Sequence, residues 1–134
     1  MKIKFVLILS LFAVTLFSGC YPKKDVGVGP IKEISLGAIQ LSLVNQGEAL
    51  FNSKCTMCHS IDKKLVGPAL GDVTTRRTPE WIMNMLLNPK GMTKENEAAK
   101  ALLVEYNNIP MINQNLSEKD ARAILEFLRS LNSK

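Results

Sequence analysis

Histidine is nearly absent from this chain of 134 residues: there is one, His59, alongside three cysteines, two tyrosines and one tryptophan. A single His excludes a multi-histidine metal cage and any two-histidine catalytic site built from this chain alone. Three cysteines cannot complete a disulfide framework, because one is always left over. No stretch carries a pattern that argues for a sheet. The 17 Lys+Arg against 12 Asp+Glu give a net charge of +5 without the concentrated basic face of a nucleic-acid binder. What remains, at 46% hydrophobic and 22% charged residues, is an ordinary globular composition with room for one domain.

The N-terminus reads as a leader. Lys2 and Lys4 precede an apolar run from Phe5 to Phe17, broken only by Ser10 and Thr15. As a helix that run reaches about 20 Å, short of a ~30 Å hydrocarbon core. A charged start, a short apolar core and small residues after it describe a secretory signal rather than a span. Leu16-Phe17-Ser18-Gly19-Cys20 resembles a bacterial lipobox, with Phe17 where an aliphatic residue is usual. This reading makes residues 1–19 a lipoprotein signal peptide and Cys20 a lipidated new N-terminus, which also accounts for the odd cysteine. The competing reading is an ordinary secreted protein with a spare thiol. Several acyl chains hold a membrane stably where one does not. The expected location is therefore extracytoplasmic, on the periplasmic face of a bacterial membrane. Without the leader, 15 basic and 12 acidic side chains remain, a net +3.

Residues 20–45 read as a lipid-anchored tether and strap: Tyr21 to Pro30 is rich in Gly, Lys and Pro, and Ile31 to Val44 is more apolar and extended. The domain proper, 46–134, reads as all-α with about four helices. The first is expected from Gln46 to Thr56. The second opens on Thr78-Pro79-Glu80, a capping residue, a first-turn proline and an acid at the positive end of the dipole, and closes at Pro89. A third covers Thr93 to Tyr106. The last starts at Ser117-Glu118-Lys119-Asp120 and places Ala121, Ile124, Leu125, Leu128 and Leu131 on one face. Long loops are expected over Ser60–Arg77 and Asn107–Leu116.

Cys55-Thr56-Met57-Cys58-His59 is a C-x-x-C-H, the attachment signature of c-type haem. Two thiols three positions apart reach the two vinyl groups of one haem, and the next residue presents an imidazole beneath the iron. A thioredoxin-like redox pair would want a βαβ context, and a zinc site a fourth ligand; neither is present in the sequence of the domain.

With these features the chain resembles the small class I monohaem cytochromes c over Gln46 to Leu131. Gly47-Glu48-Ala49-Leu50-Phe51 is similar to the family's first helix, which crosses the last, where Ile124 and Phe127 would meet it. Val66-Gly67-Pro68-Ala69-Leu70 resembles the loop whose Pro carbonyl bonds the proximal His, which implies that role for Pro68. Arg76-Arg77-Thr78-Pro79-Glu80-Trp81 resembles the stretch near the haem propionates, with Arg76, Arg77 and the Trp81 indole N–H as donors; the plainer alternative is two solvated arginines and a core tryptophan. The family's sixth ligand is a Met before the last helix, which implies Met111 in Ile109-Pro110-Met111, although here Pro precedes Met. Met92, after Pro89-Lys90-Gly91, is the competitor. Met57 sits inside the attachment motif, and Met83 and Met85 read as core. The tether, Arg-Arg-Thr-Pro-Glu-Trp and residues 110–116 also resemble monohaem lipoprotein cytochromes encoded beside nitrous-oxide reductase.

The resemblance implies a non-enzymatic single-electron carrier with one covalently attached haem c, its iron held by His59 and Met111. It implies redox protein partners, such as a terminal reductase or oxidase and a quinol-side donor, no nucleic acid, and a monomer. A haem-based sensor or gas-binding module with a displaceable sixth ligand is the alternative, and peroxidase chemistry ranks last because the one His is committed.

Overall fold

The computed structural model describes residues 24–133, so the expected leader and the expected lipidation site at Cys20 lie outside the described residues. Six helical segments follow an extended stretch: α1 Leu41–Lys54, α2 Val73–Arg76, α3 Pro79–Leu87, α4 Pro89–Glu95, α5 Glu97–Glu105 and α6 Glu118–Ser130. The all-α fold matches expectation, and α1, α3, α5 and α6 are the four expected helices with shifted ends.

The frame is the crossing of α1 and α6. Gly47 makes it possible, because a Cβ there would overlap the Ala123 carbonyl. One turn on, Phe51 and Phe127 meet with ring centroids 5.4 Å apart, tilted by 49°. The partners of Gly47 are thus Ala123 and Phe127, while Ile124 turns toward the interior cavity described below. A capping box starts α6: the Ser117 hydroxyl accepts from Asp120 N–H, and the Asp120 carboxylate accepts from Ser117 N–H.

Two differences from expectation have tertiary causes. The stretch read as one helix over Thr93–Tyr106 breaks at Asn96, whose extended backbone ends α4 and whose side chain caps α5 by accepting from Ala99 N–H at 3.0 Å. The same amide accepts the Trp81 indole N–H at 3.0 Å and donates to Asp25 at 2.8 Å. Pro89 closes α3 as expected and also opens α4, with Asn88 as its cap. In turn, α1 begins at Leu41 rather than Gln46, where the preceding chain is pinned to α6: Arg129 donates to the Gly37 carbonyl at 3.0 Å.

From Lys24 to Gln40 the chain runs as a strap across α3, α4 and α6. Its composition suggests a loose tether, but its described part is bonded down. Asn84, fully buried, accepts from Ile31 N–H at 2.9 Å and donates to the carbonyls of Val26 and Ile31. Glu80 takes Lys24 at 2.8 Å and Ile34 N–H at 3.2 Å. Gly27, at φ 75°, sits against the Met92 thioether, where a Cβ would meet Sδ at 2.6 Å. Covered by the strap on one side and the cavity on the other, α3 is buried nearly all round.

Candidate functional site

A cavity opens between the end of α1, the loop after it, α3, α5 and α6. Its floor begins in the motif. Past Lys54 the helix closes in a tight turn, with the N–H groups of Cys58 and His59 both donating to the Cys55 carbonyl, at 3.0 and 2.8 Å. This turn brings both thiols and the imidazole to the same cavity, and both cysteines are free. Burial pushes the Cys55 thiol up, against the pull of Lys54 and with a further push from Cys58.

His59 is oriented from behind. Its Nδ1 lies 2.9 Å from the Pro68 carbonyl oxygen. A carbonyl only accepts, so Nδ1 carries the proton and the Nε2 lone pair is free. Gly67 lies flat beneath the ring, and any Cβ there would overlap Cε1. Gly67 is itself held by donating to the Cys58 carbonyl at 2.8 Å. Gly67 was visible in sequence only as part of a loop; its contact with the imidazole depends on the folded path.

The remaining walls are apolar, with Leu70, Val73, Ile82, Leu86, Ile124 and Leu128 among them. Met111 lines the cavity, as does Met85. Met92 is not among the lining residues: it is fully buried under the strap, and its Sδ accepts from Val28 N–H at 2.9 Å. Arg76 and Arg77 both reach the cavity rim. Arg76 Nη2 donates to the Ala69 carbonyl at 2.9 Å and to Asp72 at 2.8 Å, leaving its other N–H groups for a ligand. The Arg77 guanidinium stands 4.9 Å over the Trp81 ring. The Trp81 indole N–H, expected to serve a propionate, donates here to Asn96, and Trp81 also lines the cavity. Among the described residues there is no cluster of three or more His, Cys, Asp or Glu side chains able to hold a metal ion by themselves.

A sequence model of the family described as Cytochrome c matches residues 44–132. This chain belongs to the cytochrome c family. Cytochrome c-551 of Stutzerimonas stutzeri is 34% identical over 95 residues, covering 70% of this chain and 85% of that protein. Cytochrome c-551 of Pseudomonas denitrificans is 33% identical over 88 residues, 63% of this chain and 96% of that one. The solved structure of a cytochrome c from Rhodothermus marinus superposes with a TM-score of 0.74 at 51% identity, covering 77% of this chain and 89% of that chain.

Membership makes this cytochrome c a monohaem electron carrier, not an enzyme, with one covalently bound haem c as its cofactor. The residues present fit the group: two free thiols at attachment spacing, an imidazole with its Nε2 lone pair free, a thioether and an apolar wall share one cavity. Sequence reasoning missed the polar clasp on the strap. Its signal was there, since Glu80, Asn84 and Asn88 recur every fourth residue as a polar stripe through an apolar helix.

Proposed function

We propose that this cytochrome is a lipid-anchored shuttle that moves single electrons between redox proteins on the extracytoplasmic face of a bacterial membrane. In this reading residues 1–19 are a signal peptide, Cys20 carries the lipid, 20–45 form tether and strap, and 46–134 form the haem domain. Cys55 and Cys58 would hold the haem through thioethers, His59 and Met111 would ligate its iron, Pro68 would orient His59, and Arg76 and Arg77 would serve the propionates. One observation supports the ligand pair above the rest: Met111 shares the cavity of His59, whereas the Met92 sulfur is bonded to Val28 under the strap.

When bound, the haem supplies a one-electron iron couple. The chain tunes that couple in three ways. The Pro68 carbonyl raises the donor strength of His59 by drawing on its Nδ1 proton. The Met111 sulfur, as a soft ligand, favours the ferrous state and raises the potential. The lining of the cavity is mostly apolar, and with His59 and Met111 both on the iron no position would be left for a substrate. Partner contacts suited to such a shuttle are brief and small in area. The resemblance in residues 76–81 and 110–116 supports a terminal reductase, of the kind that reduces nitrous oxide, as acceptor, with a quinol-side donor.

Optical spectra of the holoprotein test the ligand pair. The ferric form is expected to be low-spin with a weak near-infrared sulfur-to-iron band. Met111→Ala is expected to abolish that band, lower the potential and admit cyanide, while Met92→Ala keeps the band. The reverse outcome would assign the iron to Met92, and a high-spin ferric parent would favour the sensor reading. For the anchor, Cys20→Ser is expected to release the protein from the membrane fraction; a fraction unchanged by it overturns the lipid assignment.

A further inference from the structure

The chain reaches Met111 through an unusual hinge. At the end of α5, Asn107 N–H donates to the Val104 carbonyl at 3.2 Å and Asn108 N–H to Leu103 at 2.8 Å, a closing pattern that needs a left-handed residue. Both asparagines are left-handed, at φ 58°. Tyr106 is the fixed point of this turn: its N–H donates to Leu102 at 3.0 Å and its carbonyl accepts from Ile109 N–H at 3.1 Å. From there the chain runs through Pro110 to Met111. The Tyr106 ring lines the cavity, and the Lys64 ammonium sits 4.2 Å from its centroid. Lys64 belongs to the loop that supports His59 from Cys58 through Gly67 to Pro68. One contact thus ties the support of His59 to the hinge of Met111.

We propose that Tyr106 is a positioning residue for the sulfur ligand, and that Lys64, seated on its ring, clasps the two ligand-bearing loops together. This rests on Met111 being the sixth ligand. The clasp slows departure of the sulfur from the iron by coupling the hinge to the rigid side of the cavity. A cation over an aromatic face at a surface site changes an equilibrium by about two- to five-fold.

The experiment follows cyanide binding to the ferric holoprotein, whose rate reports opening of the sulfur side, together with the near-infrared band. Lys64→Gln is expected to speed binding about two- to five-fold, with the band retained, because Lys64 is not among the cavity-lining residues. Lys64→Arg, which also stands over an aromatic face, is expected to restore the parent rate. Tyr106→Leu is expected to speed binding, and adding Lys64→Gln to it to change nothing further, which is the coupling a double-mutant cycle reads. Equal rates for Lys64→Gln and parent, or fully additive effects in the cycle, overturn the clasp while leaving the ligand assignment standing. A near-infrared band that survives Met111→Ala overturns both.

Discussion

Glu126 is wholly buried on α6 and still charged. Burial pushes its carboxyl up, but hydrogen bonds from Arg122 and Arg129 and their charges outweigh it and hold the group below its ordinary value. Glu80 behaves likewise: burial pushes it up, and Lys24, its own backbone N–H and that of Ile34 bring it down. A carboxylate lower in the folded than in the unfolded state stabilises fully above the unfolded value, about 4.3, and loses that contribution as pH falls through the folded one. Denaturant midpoints should therefore hold from pH 7 to about 5 and decline below about 4. Glu126→Gln should flatten this acid limb and cost about 3 kcal/mol at pH 7, since two arginines lose their charged partner. An unchanged acid limb would exclude Glu126 as a source. At this scale the attachment motif was fully legible, because its chemistry is a matter of spacing within five residues. The standing of Met92 was not, because only the N–H of Val28, 64 residues away, marks its sulfur as engaged.

Among the elements, α6 was read almost to the residue, and α5 was not. The start of α6 is written locally, in a serine and an acid three positions on, with an apolar face behind them. The start of α5 depends on Asn96, which a helix could have carried in its interior at modest cost; its bonds to Trp81 and Asp25 make it a break. The strap was legible as extended chain, but its attachment was not, because it is made by side chains of α3, α4 and α6. Asn84→Asp tests that attachment. The shape is kept, yet two donors facing the Val26 and Ile31 carbonyls are replaced by an acceptor. The expected result is a loss of at least about 2 kcal/mol and new protease cleavage between Val26 and Ile39. Cleavage no faster than in the parent would show that Asn84 does not hold the strap.

For the molecule as a whole, the cavity is the centre of the packing: residues of α1, α3, α5 and α6 all face it. A chain of this size buries only about two-thirds of its unfolded surface, so little reserve remains once so large an apolar ligand is lost. Cys55→Ala combined with Cys58→Ala should give a weakly helical, protease-sensitive chain by far-ultraviolet circular dichroism and proteolysis. A helical apo form that melts cooperatively would contradict this coupling of folding to haem. The sequence by itself determined the helical class and the covalent cofactor, since caps, helical periods and attachment spacing all act within a few residues. The tertiary structure alone decided that the Met92 sulfur lies under the strap and outside the cavity of His59, where the Trp81 N–H goes and what the strap covers. Those choices are made by hydrogen bonds between residues as far apart as Gly37 and Arg129, 92 positions along the chain. Such pairings leave no local pattern, because each partner's side chain alone is compatible with a solvated surface.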